Sequence, residues 1–416
     1  MRYLFIHQNF PGQFRHMAAA LAADPGNEVL GMGDAANLPR HTPAHPAVKL
    51  LGYSVPAARA TTAHPYLKGL EEQTRRGQAV ARALLELKAK GFVPDVIAAH
   101  PAWGEALFIK DIFPAARLVV HCEFFYRSHG SDMNFDPEFP SSLDSLLRLR
   151  LRNAVHLLSL EAADLGVSPT AWQRQQFPAE LQAKIAVTHE GVDTQKLRPD
   201  GEVVFGHGDV RLTRDDEVLT YVARNLEPYR GFHSFMRALP RILQARPKLQ
   251  VLVVGGLEVS YGLRLPEGQT YKDRYWNPVR DQVDASRVHF LGKLPYEHYM
   301  RALQVSRCHL YLTYPFVLSW SLLEAMACAC PIVASATAPV TEVVRDGHNG
   351  RLTDFFDATR IADDVLQMLG DAEAQSRLGA QARADMVARY DLQTRCVPDW
   401  LALLRGQSSS AKDLPA

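Results

Sequence analysis

Leu310–Ser335 reads LYLTYPFVLSWSLLEAMACACPIVAS, and the fold turns on it. Leu310-Tyr311-Leu312-Thr313 is a short apolar and β-branched run, the pattern of a buried strand. Ser319-Trp320-Ser321 breaks the run, and Leu322-Leu323-Glu324-Ala325-Met326-Ala327 is dense in strong helix formers. Pro331-Ile332-Val333-Ala334 reads as the next strand of a parallel sheet. Strand, loop, helix and strand put the helix N-terminus at the carboxyl edge of the sheet, where open α/β folds bind ligands. Unpaired amides and the helix dipole make that end attractive to an anion such as a pyrophosphate.

Glu324 is the only acid of the stretch, and two readings compete for it. In one, Ser321-Leu322-Leu323-Glu324 is a capping box, with the carboxylate reaching back to the Ser321 amide. In the other, the carboxylate accepts hydrogen bonds from a ligand's hydroxyls, as acids at nucleotide sites do for a ribose. Capping boxes are the commoner motif, so spacing alone favours the cap.

Upstream, Val218–Ala223 reads as a strand ending in Arg224, and Asn225–Gly231 turns into a helix from Phe232. This puts two guanidiniums, Arg224 and Arg230, on one strand-to-helix loop. Arginine grips phosphate oxygens bidentately and stays charged, so such a pair can neutralise a diphosphate; surface salt bridges are the plainer alternative. Leu249–Gly256 is a buried strand with a glycine exit, and 257–286 is a polar-aromatic excursion. Arg287–Leu294 is a strand leaving through Gly292, Lys293 and Leu294, and a helix follows over Tyr296–Ser306. Glu342–Gly350 is expected as a strand-turn closing the sheet, with helices over Leu378–Arg389 and Leu392–Leu404.

The first half repeats the alternation. Tyr3–His7 reads as a strand, Gln8–Gln13 as a loop with Pro11-Gly12, and Phe14–Leu21 as a helix start. Gly12 lets backbone approach a ligand closely, or simply makes a tight turn. Glu28–Gly33, Asp95–His100, Arg117–Glu123, Ala163–Ser168 and Lys184–Thr188 are further strands, and Leu67–Lys90 is a long amphipathic helix. His100 and His121 both fall at strand exits, where a histidine faces a ligand or is satisfied by backbone. The irregular stretch from Phe124 to Asp136, with Phe125 and Tyr126, has the look of a recognition loop. In Ser145–Leu160, Arg148, Arg150 and Arg152 alternate with leucines rather than line one helical face, a weak pattern for peripheral membrane contact.

At 416 residues the chain is long enough for two domains, each with its own core. A net charge of +1 gives no field for nucleic acid. The N-terminus has too short an apolar run for a signal peptide, and no stretch approaches the ~20 apolar residues of a membrane helix. Cys122, Cys308, Cys328, Cys330 and Cys396 sit mostly in apolar segments and read as buried thiols. No second ligand pair accompanies Cys328 and Cys330, so no metal site is expected. These features point to the cytoplasm.

LLEAMACACPIVAS, together with Val222-Ala223-Arg224 and Tyr229-Arg230-Gly231, resembles the donor half of glycosyltransferase family 4. Asn9-Phe10-Pro11-Gly12-Gln13-Phe14 extends the resemblance more weakly. It implies an α/β chain of the GT-B class, two Rossmann-like parallel-sheet domains facing a cleft. It implies an N-terminal acceptor-side domain over 1–195, a linker over 196–215 and a donor domain over 216–388. A helix over 389–405 would cross back to the first domain, leaving a flexible tail over 406–416. The implied enzyme is a retaining, metal-independent hexosyltransferase, without cofactor, that moves a sugar from a nucleotide-diphosphate donor, UDP-sugar favoured. The acceptor would be a hydroxyl on a saccharide, lipid-linked or other glycoconjugate.

With that resemblance the ribose reading of Glu324 overtakes the cap. The diphosphate falls to Arg224, Arg230 and the amides of Leu318, Ser319, Trp320 and Ser321. The base falls to Gly292, Lys293 and Leu294. The loop of Gly12 would touch donor phosphates or acceptor. His121 takes the place beside the donor sugar, with His100 as rival, so His121, Arg224 and Arg230 are the catalytic set. His100, Phe125 and Tyr126 are the acceptor side. The family usually carries two glutamates, and Phe316 stands at the earlier one; Val317-Leu318-Ser319-Trp320 replaces a glycine-rich segment, and Arg230 stands where lysine is usual. These departures keep two alternatives open, a non-catalytic GT-B nucleotide-sugar-binding protein and a nucleotide-sugar epimerase.

Overall fold

A computed structural model describes residues 1–41, 43–56 and 63–407. The chain divides into two units: Met1–Asn134 with Pro140–Gly191 and the chain from Leu392, and Phe135–Phe139 with Val192–Asp391.

The first unit holds β1 (Arg2–Ile6), β2 (Glu28–Asp34), β3 (Lys49–Tyr53), β4 (Val96–Ala99), β5 (Arg117–His121), β6 (Leu165–Ser168) and β7 (Ile185–Val187). They form one sheet in the order β3-β2-β1-β4-β5-β6-β7. All neighbours are parallel. Side chains alternate across each strand, so β1 feeds two cores. Tyr3 and Phe5 pack with Phe14, Met17 and Trp400 on one face. Leu4 and Ile6 pack with Val80, Leu84 and Ile97 on the other.

The second unit holds β10 (Val218–Asn225), β11 (Gln250–Gly256), β12 (Val288–Gly292), β13 (Cys308–Tyr311), β14 (Ile332–Ser335) and β15 (Arg351–Thr353), in the order β12-β11-β10-β13-β14-β15. In its own strand order the second sheet runs 3-2-1-4-5-6 and the first runs the same way with a seventh strand added, each with the reversal between the first and fourth strands. Ligands of open α/β sheets sit outside the carboxyl ends at that reversal. Two Rossmann-like parallel sheets, each with its own cores, are the GT-B class that the sequence led us to expect.

The sequence misjudged several stretches. The expected linker 196–215 contains an antiparallel hairpin, β8 (Val204–His207) and β9 (Val210–Thr213). Gly208 at φ +58° makes its tight turn, and Phe205 and Leu212 pack with Val218, Leu252 and Ala302. The glycines and charges there had masked a short apolar alternation. The 257–286 excursion includes a helix, Tyr271–Arg280, capped by the Thr270 side chain and burying Tyr275, Trp276 and Val279. Glu342–Gly350 is a turn rather than a strand. The Asn349 side chain closes it, accepting from Arg345 N at 2.7 Å and donating to Val343 O at 3.0 Å. Leu392–Cys396 is a π-helical turn ahead of the helix Val397–Leu404. The tail expected over 406–416 lies outside the described residues from 408. No helix among the described residues is long and apolar enough to cross a membrane.

Candidate functional site

In the second unit, the loops after β10 and β13 meet at the reversal. Gly231, at φ +68°, turns the chain from the first loop into the helix Phe232–Ala245. A Cβ at Gly231 would stand 2.3 Å from Cβ of Leu312, so only glycine lets the two loops touch. Arg230 is buried there, and its Nη1 donates to Thr313 Oγ1 at 2.7 Å, Val317 O at 3.1 Å and Tyr311 OH at 3.4 Å. Arg224, by contrast, is exposed on β10. The two guanidiniums expected as an equal pair therefore differ: one is tied into the neighbouring loop, the other is open to solvent.

The helix Trp320–Ala327 follows β13. Its N-cap is Ser319, whose side chain accepts from Ser321 N at 3.3 Å. Ser319 N itself donates to Tyr311 OH at 2.9 Å. Two of the four amides expected to cradle a phosphate are thus already bonded within the protein. Leu318 is buried in the apolar cluster of the helix, and Trp320 is exposed.

The capping box is not formed, because Glu324 points elsewhere. Its Oε1 accepts from Tyr296 OH at 3.0 Å and its Oε2 from Tyr299 OH at 2.6 Å. Burial pushes its carboxyl above the ordinary range, and the two phenol hydrogen bonds hold that rise back.

Phe316 lies in an aromatic group. Its ring is 4.9 Å from Tyr261 and 5.5 Å from Tyr229, and the Arg230 guanidinium stands 5.6 Å and 5.9 Å from the centroids of Tyr261 and Phe316. Glu227 fixes the Tyr261 segment; its buried carboxylate accepts from the amides of Ser260, Tyr261 and Gly262 at 3.0–3.2 Å. At the exit of β12, Gly292 has φ +63°, Lys293 pairs with Glu258 at 2.9 Å, and Leu294 is half-buried against apolar neighbours.

In the first unit the strand exits gather histidines. His7, after β1, and His100, after β4, have ring centroids 5.3 Å apart; His100 and His121 are stacked at 5.2 Å. His121 Nε2 lies 2.6 Å from Glu190 Oε1, and His100 Nε2 lies 3.4 Å from Glu123 Oε2, whose Oε1 accepts from Gln13 Nε2 at 2.8 Å. Gly12 is needed beneath this group, since at φ +48° its Cβ would stand 2.7 Å from the His7 ring. Burial acts to discharge all three rings. For His7 and His100 it wins, and they lie below the ordinary imidazole range. For His121 burial is outweighed by the hydrogen bond and charge of Glu190, and its pKa is raised.

The sequence reading named His100, His121 and Gly12 but missed His7, Glu123 and Glu190. Glu190 follows a short strand, and its place in HEGVD carries no spacing signal. Phe125, expected on the acceptor side, is instead core: it is buried and packs 5.2 Å from Phe177. Tyr126 is half-buried, with the Arg152 guanidinium 3.8 Å above its ring.

Among the described residues, one group of His, Asp and Glu could hold a metal, Asp136, Glu138 and His233. All three are engaged. Asp136 Oδ2 accepts from Tyr314 OH at 2.5 Å and lies 3.0 Å from His233 Nε2, and Glu138 is forked by Arg237.

Two family models match the chain, the "Glycosyl transferase family 4 group" over residues 25–197 and the "Glycosyl transferases group 1" over 208–385. A D-inositol 3-phosphate glycosyltransferase of Stackebrandtia nassauensis is 28% identical over 213 residues, 50% of this chain and 45% of that protein. An N-acetyl-alpha-D-glucosaminyl L-malate synthase of Bacillus anthracis is 25% identical over 179 residues, 43% of each chain. The matched region thus spans about half the length of these curated relatives. Among solved structures, a sucrose-phosphate synthase from Thermosynechococcus elongatus superposes with a TM-score of 0.72 at 17% identity, covering 98% of both chains. Anabaena HepE in complex with UDP gives 0.65 at 17% identity, covering 98% of this chain and 100% of that one.

Proposed function

Because the chain belongs to the glycosyltransferases of the family 4 and group 1 models, we propose that it moves a sugar from a nucleotide-diphosphate donor to a hydroxyl acceptor. One observation carries the donor half of this reading. A carboxylate, Glu324, is held on the first turns of a helix beside the strand-order reversal, in the unit that also carries Arg224 at the end of β10 and Arg230 in the turn after it. Pentose hydroxyls are donors that suit a fixed carboxylate, and diphosphate oxygens suit guanidiniums.

As the glycosidic bond breaks, negative charge grows on the departing diphosphate. Arg224, open to solvent, supplies a charged donor fork there, while buried Arg230 fixes the 313–317 loop and adds positive potential from beneath. We assign the acceptor to the first unit, with His121, whose pKa Glu190 raises, beside the transferring sugar. The acceptor hydroxyl bonds to the anomeric carbon on the face from which the diphosphate departs, and its proton passes to a departing phosphate oxygen; same-face attack retains the configuration and needs no metal. A uridine nucleotide is favoured because HepE was solved with UDP. Five buried cysteines, none of them in a disulfide, support a cytoplasmic setting.

The test is a thermal-shift panel of UDP, GDP and ADP and their sugars, followed by an assay of nucleotide release with saccharide acceptors. A shift from one nucleotide and acceptor-dependent release of it support the reading. No shift from any of them sinks it. Phe316, an apolar ring where the family has a carboxylate, favours a second reading, a binding protein without turnover; it would show the shift without release.

A further inference from the structure

We propose that Tyr299, assisted by Tyr296, is a positioning residue that sets the Glu324 carboxylate to receive two neighbouring hydroxyls of the donor pentose. This rests on the donor reading above and adds the means by which that acid is aimed.

The two tyrosines are three residues apart on the helix Tyr296–Gln304 and so share one of its faces. Each gives its single O–H to a different carboxylate oxygen, Tyr296 to Oε1 at 3.0 Å and Tyr299 to Oε2 at 2.6 Å. A carboxylate oxygen has two acceptor positions, so each keeps one for a ligand. The last torsion of a glutamate is soft and broad, and a carboxylate held at one oxygen would still swing. Held at both, it presents a fixed pair of acceptors, which a vicinal diol matches with two O–H groups.

The surroundings agree. Tyr299 is 9% exposed and grips from the protein side, whereas Tyr296 is 51% exposed and lies at the rim. Removing the inner phenol both frees the torsion and takes a hydrogen bond from a carboxylate already strained by burial. A tie between two helices, the alternative role, would not distinguish ligands that differ only in pentose hydroxyls.

The experiment is calorimetric titration of the whole protein with UDP and with 2′,3′-dideoxy-UDP, or the matching adenosine or guanosine pair if uridine gives no heat. The parent should bind the ribose form tighter by about tenfold or more. Tyr299→Phe should weaken the ribose form toward the dideoxy value while leaving the dideoxy affinity unchanged; Tyr296→Phe should do the same to a smaller degree. A Tyr299→Phe protein that keeps the parent's ratio overturns the proposal while leaving the donor reading intact. A parent that does not discriminate the pair refutes the ribose role of Glu324, and the proposal with it. Should Tyr299→Phe fail to fold, Tyr296→Phe decides by the same ratio, since its ring is half in solvent.

Discussion

His121 Nε2 and Glu190 Oε1 stand 2.6 Å apart although 69 residues separate them in the chain, one at the end of β5 and the other just past β7. The acid lifts the pKa of a fully buried imidazole above its ordinary value, where burial lowers those of its neighbours His7 and His100. If the protonated ring donates to the sugar, the transfer rate falls as pH rises through the raised pKa of His121. Glu190→Gln should move that fall to lower pH by about one unit and cut the rate about tenfold or more. The pH–rate profile of both proteins checks it.

Arg224→Ala and Glu324→Ala should each reduce the thermal shift given by the bound nucleotide; exposed Arg224→Ala should leave the melting temperature of the free protein within a few degrees, whereas Glu324→Ala, which strands the buried Tyr299 hydroxyl, should lower it. Equal shifts in parent and variants would mean that the nucleotide sits elsewhere.

Gly231→Ala should cost about 2–4 kcal/mol in urea unfolding. The residue has φ +68°, and the added carbon meets Leu312 Cβ at 2.3 Å. Gly268→Ala offers the control, since at φ +79° it shares the backbone strain but has nothing within 4 Å of the added carbon.

Acid should destabilise the fold well before its carboxylates titrate. Burial drives His156 and His309 down to about 3. Between the unfolded value near 6.5 and that level the unfolded chain binds more protons, so stability is full above about pH 7 and falls as pH drops. Each of these two should contribute a loss of about 2 kcal/mol between pH 7 and pH 5. Urea midpoints at the two pH values measure it, and His309→Asn should lessen the slope.

On the helix Leu143–Arg152 only Leu149 is buried; Leu143 and Leu147 are exposed, as are Arg148, Arg150 and Arg152. At about 100° per residue Leu143, Leu147 and Arg150 share one side of the helix while Arg148 and Arg152 turn away from it, so the expectation of peripheral membrane contact rests on one cation beside two leucines, and vesicle binding tests it. Sedimentation with phosphatidylglycerol vesicles should exceed that with phosphatidylcholine alone, and Leu143→Ser with Leu147→Ser should abolish the excess; equal sedimentation with both vesicle types refutes it.

The parallel sheets were legible because each strand is a short apolar run ended by glycine, proline or a polar turn, as at Gln250–Gly256. The hairpin over Val204–Thr213 was not, because four-residue strands rich in glycine and charge carry too little periodicity. Glu324 stood out as the one acid of its stretch, but its bond to Tyr299 was invisible, since a contact between two helices leaves no local spacing. The same holds for Glu190, which reaches His121 through the fold alone. Phe125 misled because an aromatic next to a strand exit looks the same in sequence whether it faces ligand or core.

The second unit includes Phe135–Phe139, a five-residue piece contributed from within the first half of the chain. Dissection at the apparent boundary is therefore not clean. A fragment begun at Val192 would leave His233 and Tyr314 without the Asp136 carboxylate and Arg237 without Glu138. Such a fragment should be less soluble and more protease-sensitive than the same fragment supplied with a synthetic peptide covering 135–139.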